Sequence, residues 1–242
     1  MPFSPKPLTP SSTRPCGLSR SQRITLSGVE FIPDLSGALY APEFRALLVA
    51  DLHLEKGTSL ARRGIHLPPY DTRQSLAQLS AVLAEAKPER LIFLGDSFHD
   101  QDARARIGAD ELGLLRAITA AFDVTWITGN HDPAPPQDIG GRIAAEMALG
   151  PVTLRHEPKR LAAGEAEIAG HLHPAAAVHA RGQRIRCRCF IADERRMIMP
   201  AFGSYTGSLS VRSDAFAGLF DGFHVWMIGG KAIHRFPASQ VR

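Results

Sequence analysis

Asp51 and His53 stand two residues apart where the apolar run Leu47-Leu48-Val49-Ala50 ends. Side chains alternate faces along a strand, so residues i and i+2 point the same way. If strand geometry continues through this stretch, a carboxylate and an imidazole converge on one spot, the beginning of a metal site. The pattern then recurs. Gly95-Asp96 follows the apolar residues 91–94, Gly129-Asn130-His131-Asp132 follows 124–127, His156 follows 152–155, and Gly170-His171-Leu172-His173 follows 167–169. Ligands of open α/β sheets gather at the carboxyl ends of strands, so the five loops can share one rim. They offer two aspartates (Asp51, Asp96), one asparagine (Asn130) and four histidines (His53, His156, His171, His173), with His131 left over. Seven side chains over-supply one cation but suit two that share a bridging carboxylate and keep positions open for solvent and substrate. Gly95, Gly129 and Gly170 each precede a ligand, where the chain must turn sharply and approach closely.

The elements that must carry these loops are legible from periodicity. Residues 46–50 and 91–94 are unbroken apolar runs, the signature of strands buried on both faces, and Val124-Thr125-Trp126-Ile127 reads as a third strand. Between them, Leu76, Leu79, Val82 and Leu83 repeat at helical spacing over residues 71–87, with Asp71 as N-cap and Pro88 as the stop. Leu112, Leu115, Ile118 and Ala121 mark a second amphipathic helix. Strands alternating with helix-length crossovers predict neighbouring parallel strands. Residues 55–69, with Lys56, Arg62, Arg63 and His66, are expected to form a loop, as are the polar residues 97–106. Upstream, 23–26, 29–32 and 38–41 predict short strands. Downstream, 142–149 is expected to be a short helix, followed by strands at 152–155, 167–169, 176–179, 185–191, 197–199 and 223–228. A hairpin turns at Gly229-Gly230 into 232–236.

The bulk properties constrain the class. At 242 residues, 44% of them hydrophobic, the chain suits one α/β domain, assigned to 23–242. Residues 1–22 hold Pro2, Pro5, Pro7, Pro10 and Pro15 without an apolar segment, and are expected to be a disordered tail rather than a secretory signal. No run approaches the ~18 apolar residues that span a bilayer. Three cysteines, with Cys187 and Cys189 on one face of one strand, suggest free thiols in a reducing, cytoplasmic setting. A formal charge of +4 favours an anionic partner such as nucleic acid. Arg62 and Arg63 then read either as a solvated loop or as contacts to substrate phosphates, Arg by its planar fork. Tyr70 either caps a core edge or stacks on a base. Arg181, Arg184, Arg186 and Arg188 form a basic strand stripe that is either solvated or phosphate-tracking.

The ordered blocks D-x-H, G-D, G-N-H-[DE], H and G-H-x-H, all present from Asp51 to His173, resemble the calcineurin-like metallophosphoesterases. Three further stretches carry a likeness to one branch, the bacterial ligase-associated DNA damage response endonucleases of the PdeM type. They are Ala61-Arg62-Arg63-Gly64 with Leu67 through Thr72, Gly95 through Asp100, and Pro200 through Gly207. The resemblance implies an α/β fold built as a four-layer α/β/β/α sandwich of two mixed β-sheets flanked by helices. It implies that Asp51, His53 and His173 hold one divalent metal ion and Asn130, His156 and His171 a second, with Asp96 bridging. It favours Mn²⁺, with Fe or Zn²⁺ as alternatives that mixed N and O ligands also suit. A water activated between the two ions would attack phosphorus in line while His131 assists the leaving group. In many relatives an aspartate three residues after the bridging one orients that histidine. Here His99 holds the place, with Asp100 beside it, so a simple His–Asp pair is not expected; His99, next to the site, joins Arg62, Arg63 and Tyr70 as a candidate substrate contact. The implied activity is a nuclease acting on DNA in repair, in functional association with an ATP-dependent DNA ligase and away from membranes. Alternatives are a phosphoesterase for nucleotides or phosphomonoesters, and a non-catalytic scaffold of the same fold, which would show gaps in the ligand set.

Overall fold

The structure is a computed structural model describing residues 22–180 and 182–242. The tail assigned to 1–22 therefore lies, Gln22 apart, outside the described residues, as does Arg181. In chain order the first sheet is built from β1 (Ile24–Leu26), β2 (Val29–Pro33), β3 (Leu39–Ala41), β4 (Ala46–Val49), β5 (Arg90–Leu94), β6 (Asp123–Ile127) and β7 (Arg142–Ala144), hydrogen-bonded in that order. β1 through β4 pair antiparallel and β4 through β7 parallel. Four helices lie between β4 and β6: α1 (Lys56–Arg62), α2 (Asp71–Ala86), the single turn α3 (Ala103–Arg106) and α4 (Ala109–Ala121).

The second sheet holds β8 (Glu146–Leu149), β9 (Val152–Arg155), β10 (Ala166–Ala169), β11 (Pro174–Ala180), β12 (Gln183–Ala192), β13 (Arg196–Ile198), β14 (Leu209–Ser210), β15 (His224–Ile228) and β16 (Ile233–Pro237). Its order is β14-β11-β12-β13-β10-β9-β8, with the β15–β16 hairpin attached to β12. β9, β10 and β13 run parallel, and the sheet is otherwise mostly antiparallel.

Strand alternation sorts the core into layers. On β4 and β5, Leu48, Ile92 and Leu94 face the second sheet and meet Leu154, Ile168, Phe190 and Met197 in the central layer. Leu47, Val49, Leu91 and Phe93 face the other way, against Leu76, Leu79 and Val82 of α2 and Leu115 and Ile118 of α4. There Phe93 stacks on Trp126 with ring centroids 4.0 Å apart. The sandwich of two mixed sheets flanked by helices is thus present. Its layer over the second sheet is thin: Val178, Cys189, Ile191 and Val225 are covered by Val211, Phe216 and Val241, which come from loops and single 3-10 turns.

Four local expectations are corrected. Residues 142–149 form two strands instead of a helix; β7 closes the first sheet, β8 opens the second, and the chain crosses between them at Ala145. Residues 55–69 are not all loop, since Lys56–Arg62 is helical. That helix buries Gly57 and Ser59, a pattern without an apolar stripe to announce it. Residues 97–106 likewise contain the turn α3. Asp71 is the first residue of α2 and not its cap; its carboxylate accepts the Gly57 N–H at 2.9 Å, tying α2 to α1.

Candidate metal centre

Every predicted ligand follows the carboxyl end of a strand. The loops after the parallel strands β4, β5 and β6 carry Asp51 and His53, Asp96, and Asn130 and His131. Those after β9 and β10 carry His156, His171 and His173. The two sheets thus present their rims to one another.

The strand-face argument for Asp51 and His53 does not hold in detail. β4 ends at Val49, and beyond it Asp51, His53 and Glu55 take positive φ values of 54°, 47° and 66°. Asp96, His171 and His173 do the same at 47°, 67° and 43°. Left-handed backbone costs a non-glycine residue about 1 kcal/mol or more, and its concentration here marks a functional segment. The side chains converge through a curled loop instead of a pleat. The loop is held from all sides: His53 N–H donates to Asp96 O (2.9 Å), Leu54 N–H to Ser97 O (2.9 Å), and the Phe202 amide to Ala50 O (2.8 Å). A Cβ on Gly95 or Gly129 would overlap His156 or Asp96, so both glycines are demanded by close approach.

Among the described residues the side chains form three clusters that could hold a cation, Asp51–His53–His173, Asp96–His156–His171 and, sharing His53 with the first, His53–His99–His131. In the first, His173 Nε2 lies 3.4 Å from His53 Nε2 and 3.2 Å from Asp51 Oδ1. In the second, His156 Nε2 lies 3.2 Å from His171 Nδ1, 3.4 Å from Asp96 Oδ1 and 3.0 Å from Asn130 Oδ1. Donor atoms held about 2.1 Å from one cation at tetrahedral angles stand about 3.4 Å apart, so the donor sets fit divalent ions. Asp96 faces both groups: its other oxygen, Oδ2, is 3.7 Å from His53 Nε2.

The electrostatics suit the same purpose. Burial pushes His53 down to about 2, leaving its lone pair free. His156 is also depressed by burial, but Asp96 and Asp51 more than offset this and raise it to about 9. Burial would raise the Asp96 carboxyl; His156, the His131 amide and His53 instead hold it at about 2. Without cations the cluster is therefore stitched by a proton that a metal would displace.

Several histidines are aimed by backbone carbonyls, which accept from Nδ1 and turn Nε2 inward. His156 donates to Leu94 O (2.9 Å) and His173 to Gly207 O (3.2 Å). His131 donates to His99 O (2.7 Å), leaving its half-exposed Nε2 4.0 Å from Asp96 Oδ2. The His99 side chain is buried behind His53. Arg63 and Tyr70 are exposed on the segment after α1, and Arg62 reaches Asp102 at 3.5 Å.

Sequence reasoning gave no role to Asp132, although it closes the G-N-H-[DE] block. Its buried carboxylate accepts the amides of Gly129 (3.0 Å), Asp96 (2.9 Å), Ser97 (2.8 Å) and Phe98 (3.2 Å), clamping two ligand loops together. Asp51 similarly accepts the His171 amide at 3.0 Å, joining the rims of the two sheets. Glu55 was also missed; it bonds the Thr58 and Thr72 hydroxyls and ties the first ligand loop to α1 and α2.

No family model matches the chain, and neither does any curated protein. Solved structures do match. The crystal structure of Pseudomonas putida nuclease MPE resembles this one over 88% of this chain and 99% of that chain, at 32% identity and a TM-score of 0.70. Yfce, a phosphoesterase from E. coli, is 13% identical over 79% of this chain and 97% of that one, with a TM-score of 0.43. The first likeness spans almost all of the P. putida nuclease. The chain therefore belongs to the calcineurin-like metallophosphoesterases, metal-dependent hydrolases of phosphate esters.

Proposed function

We propose that this protein is a two-metal phosphodiesterase that cuts nucleic acid, acting on DNA in repair. The observation that carries the two-metal reading is the position of Asp96, one oxygen facing each cluster at 3.4 and 3.7 Å. The nucleic-acid reading is supported by the 32% identity to a nuclease and by the formal charge of +4. Repair and an ATP-dependent ligase as functional associate rest on the branch resemblance of the sequence, and a reducing cytoplasmic setting on its cysteines.

In this reading Asp51, His53 and His173 would hold one ion, Asn130, His156 and His171 the other, and Asp96 would serve both. Two divalent cations, Mn²⁺ foremost, would lower the pKa of a water and neutralise phosphoryl oxygens. The protein's own part is positioning and proton transfer. His131, fixed through Nδ1 by His99 O, presents Nε2 to the cleft. As water, its proton given up to solvent, attacks phosphorus in line and the opposite P–O bond breaks, the imidazolium form of His131 would pass its Nε2 proton to the leaving oxygen and keep its Nδ1 proton on His99 O. Arg62, Arg63 and Tyr70 stand ready to contact the phosphates and bases that flank the cut. Lys56, half-buried and near Asp96, adds positive charge where the phosphate arrives. A groove of about 490 Å³ beside Asn130 and His156, lined also by Thr128, Arg155 and Lys159, gives the chain of the substrate a way past the second cluster.

The test compares a chromogenic phosphodiester, a phosphomonoester and supercoiled plasmid, each with Mn²⁺ and with chelator. Metal-dependent cleavage of diester and plasmid is expected. Preference for the monoester would sink the nuclease reading, and no turnover on any substrate with metal loading confirmed would favour a scaffold.

A further inference from the structure

We propose that His99 is a positioning residue: its imidazole fixes the tautomer and rotation of His53, while its backbone carbonyl aims His131. This rests on the two-metal reading of the site. His53 has one nitrogen committed to the cluster, since its Nε2 lies 3.4 Å from His173 Nε2 and 3.7 Å from Asp96 Oδ2. A histidine that offers one lone pair to a cation keeps its proton on the other nitrogen, and that N–H needs an acceptor. For His53 the second nitrogen is Nδ1, and it faces His99 Nδ1 at 3.3 Å. Both residues are buried, at 4% and 8% exposure, so water does not readily serve instead.

His156, His173 and His131 each use a main-chain carbonyl for this purpose. His53 uses a side chain, which a substitution can remove. His99 is well placed for the role. Its amide donates to Leu54 O at 3.0 Å, one residue beyond His53. Its ring lies against His131 with centroids 5.0 Å apart and planes 23° from parallel. As acceptor through Nδ1, the His99 ring is neutral and carries its proton on Nε2. One residue thus orients a ligand through its side chain and the candidate acid through its backbone. Its burial behind His53 assigns it to this support and not to contact with substrate.

The experiment uses two variants that both keep the carbonyl for His131. His99→Asn retains an acceptor at the δ position, whereas His99→Leu has a similar shape and none. Metal-free protein is titrated calorimetrically with Mn²⁺, and the His53 ring nitrogens are observed by ¹⁵N NMR before metal is added. The wild type is expected to show His53 protonated on Nδ1. His99→Leu should mix its tautomers and weaken binding at the His53 site by about 10–100-fold, the usual cost of losing such a partner. His99→Asn should bind close to wild type. Unchanged tautomer and affinity in His99→Leu would overturn the proposal, as would equal losses in both variants. A third Mn²⁺ bound by wild type and lost in His99→Leu would also overturn it, making His53, His99 and His131 a cation site themselves. If the wild type bound no Mn²⁺, the two-metal reading would fall, while the ¹⁵N tautomer of His53 would still judge His99.

Discussion

A carboxylate that accepts four amides organises the site without touching its cleft. Asp132 joins the turn at Gly129 to the Asp96–Phe98 segment, so it sets the distance between Asp96 and Asn130. Asp132→Ala would leave those buried N–H groups without an acceptor, each worth about 1–3 kcal/mol. We expect a loss of at least about 2 kcal/mol in chemical denaturation, accompanied by weaker metal binding. His131→Ala should behave differently. It removes a proton donor but none of the seven assigned ligands, so kcat should fall by about 10²–10⁴-fold while metal content stays at the wild-type level. Loss of metal along with activity would move His131 from the acid role into the ligand set. At this scale the side chains that converge at the rim were legible, because D-x-H, G-D, G-N-H-D and G-H-x-H keep local spacing in the chain. The partners of His53 and His131 were not legible. They depend on how the loop after β5 folds back over the loop after β4, a long-range contact that no spacing encodes.

The elements show where periodicity suffices and where it fails. β4 and β5 announced themselves as apolar runs, β6 as a strand-type segment interrupted by Thr125, and α2 and α4 by their stripes. α1 stayed hidden, because what it buries is Gly57 and Ser59 against Asp71 and its neighbours. Residues 142–149 read as helix from composition, yet they form the seam where the chain passes from one sheet to the other. Pairing with β6 and β9 decides that segment, overriding propensity. Glu167 on β10 is a similar case. Wholly buried, it takes Arg196 Nε at 2.6 Å and Arg155 Nη1 at 3.2 Å on its two oxygens. Glu167→Ala would take the carboxylate from the buried Arg196 guanidinium and leave Arg155 with Glu146 alone, at 3.4 Å, at a cost of about 3–5 kcal/mol. Urea unfolding should show this as a lower midpoint with an unchanged slope. A loss under about 1 kcal/mol would mean that solvent already screens the pair.

For the whole molecule, the two sheets meet twice, in the apolar layer between them and at the ligand rim. The layer follows from alternation, and each sheet's order from the same rules together with pairing. That the sheets stack face to face came from family resemblance, since single-sequence patterns do not say which faces meet. The rim joins them more weakly without cations: Asp51 accepts the His171 amide, and Asp96 approaches His156. Cations bound across this rim would hold the first sheet to the second, so binding should stabilise the fold itself. At 100 times the dissociation constant the gain is about 2.7 kcal/mol, visible as a higher melting temperature with Mn²⁺ and reversed by chelator. An unshifted melting temperature at saturating Mn²⁺ would detach the clusters from the fold.

The central claim is a pair of cations sharing Asp96, and counting bound metal tests it most directly. Wild-type protein and Asp96→Ala, both freed of metal, are dialysed against Mn²⁺ and their content is measured by atomic emission alongside diester cleavage. The account predicts two Mn²⁺ per wild-type chain, and loss of both metal binding and turnover together in Asp96→Ala. Two Mn²⁺ retained in that variant would contradict it.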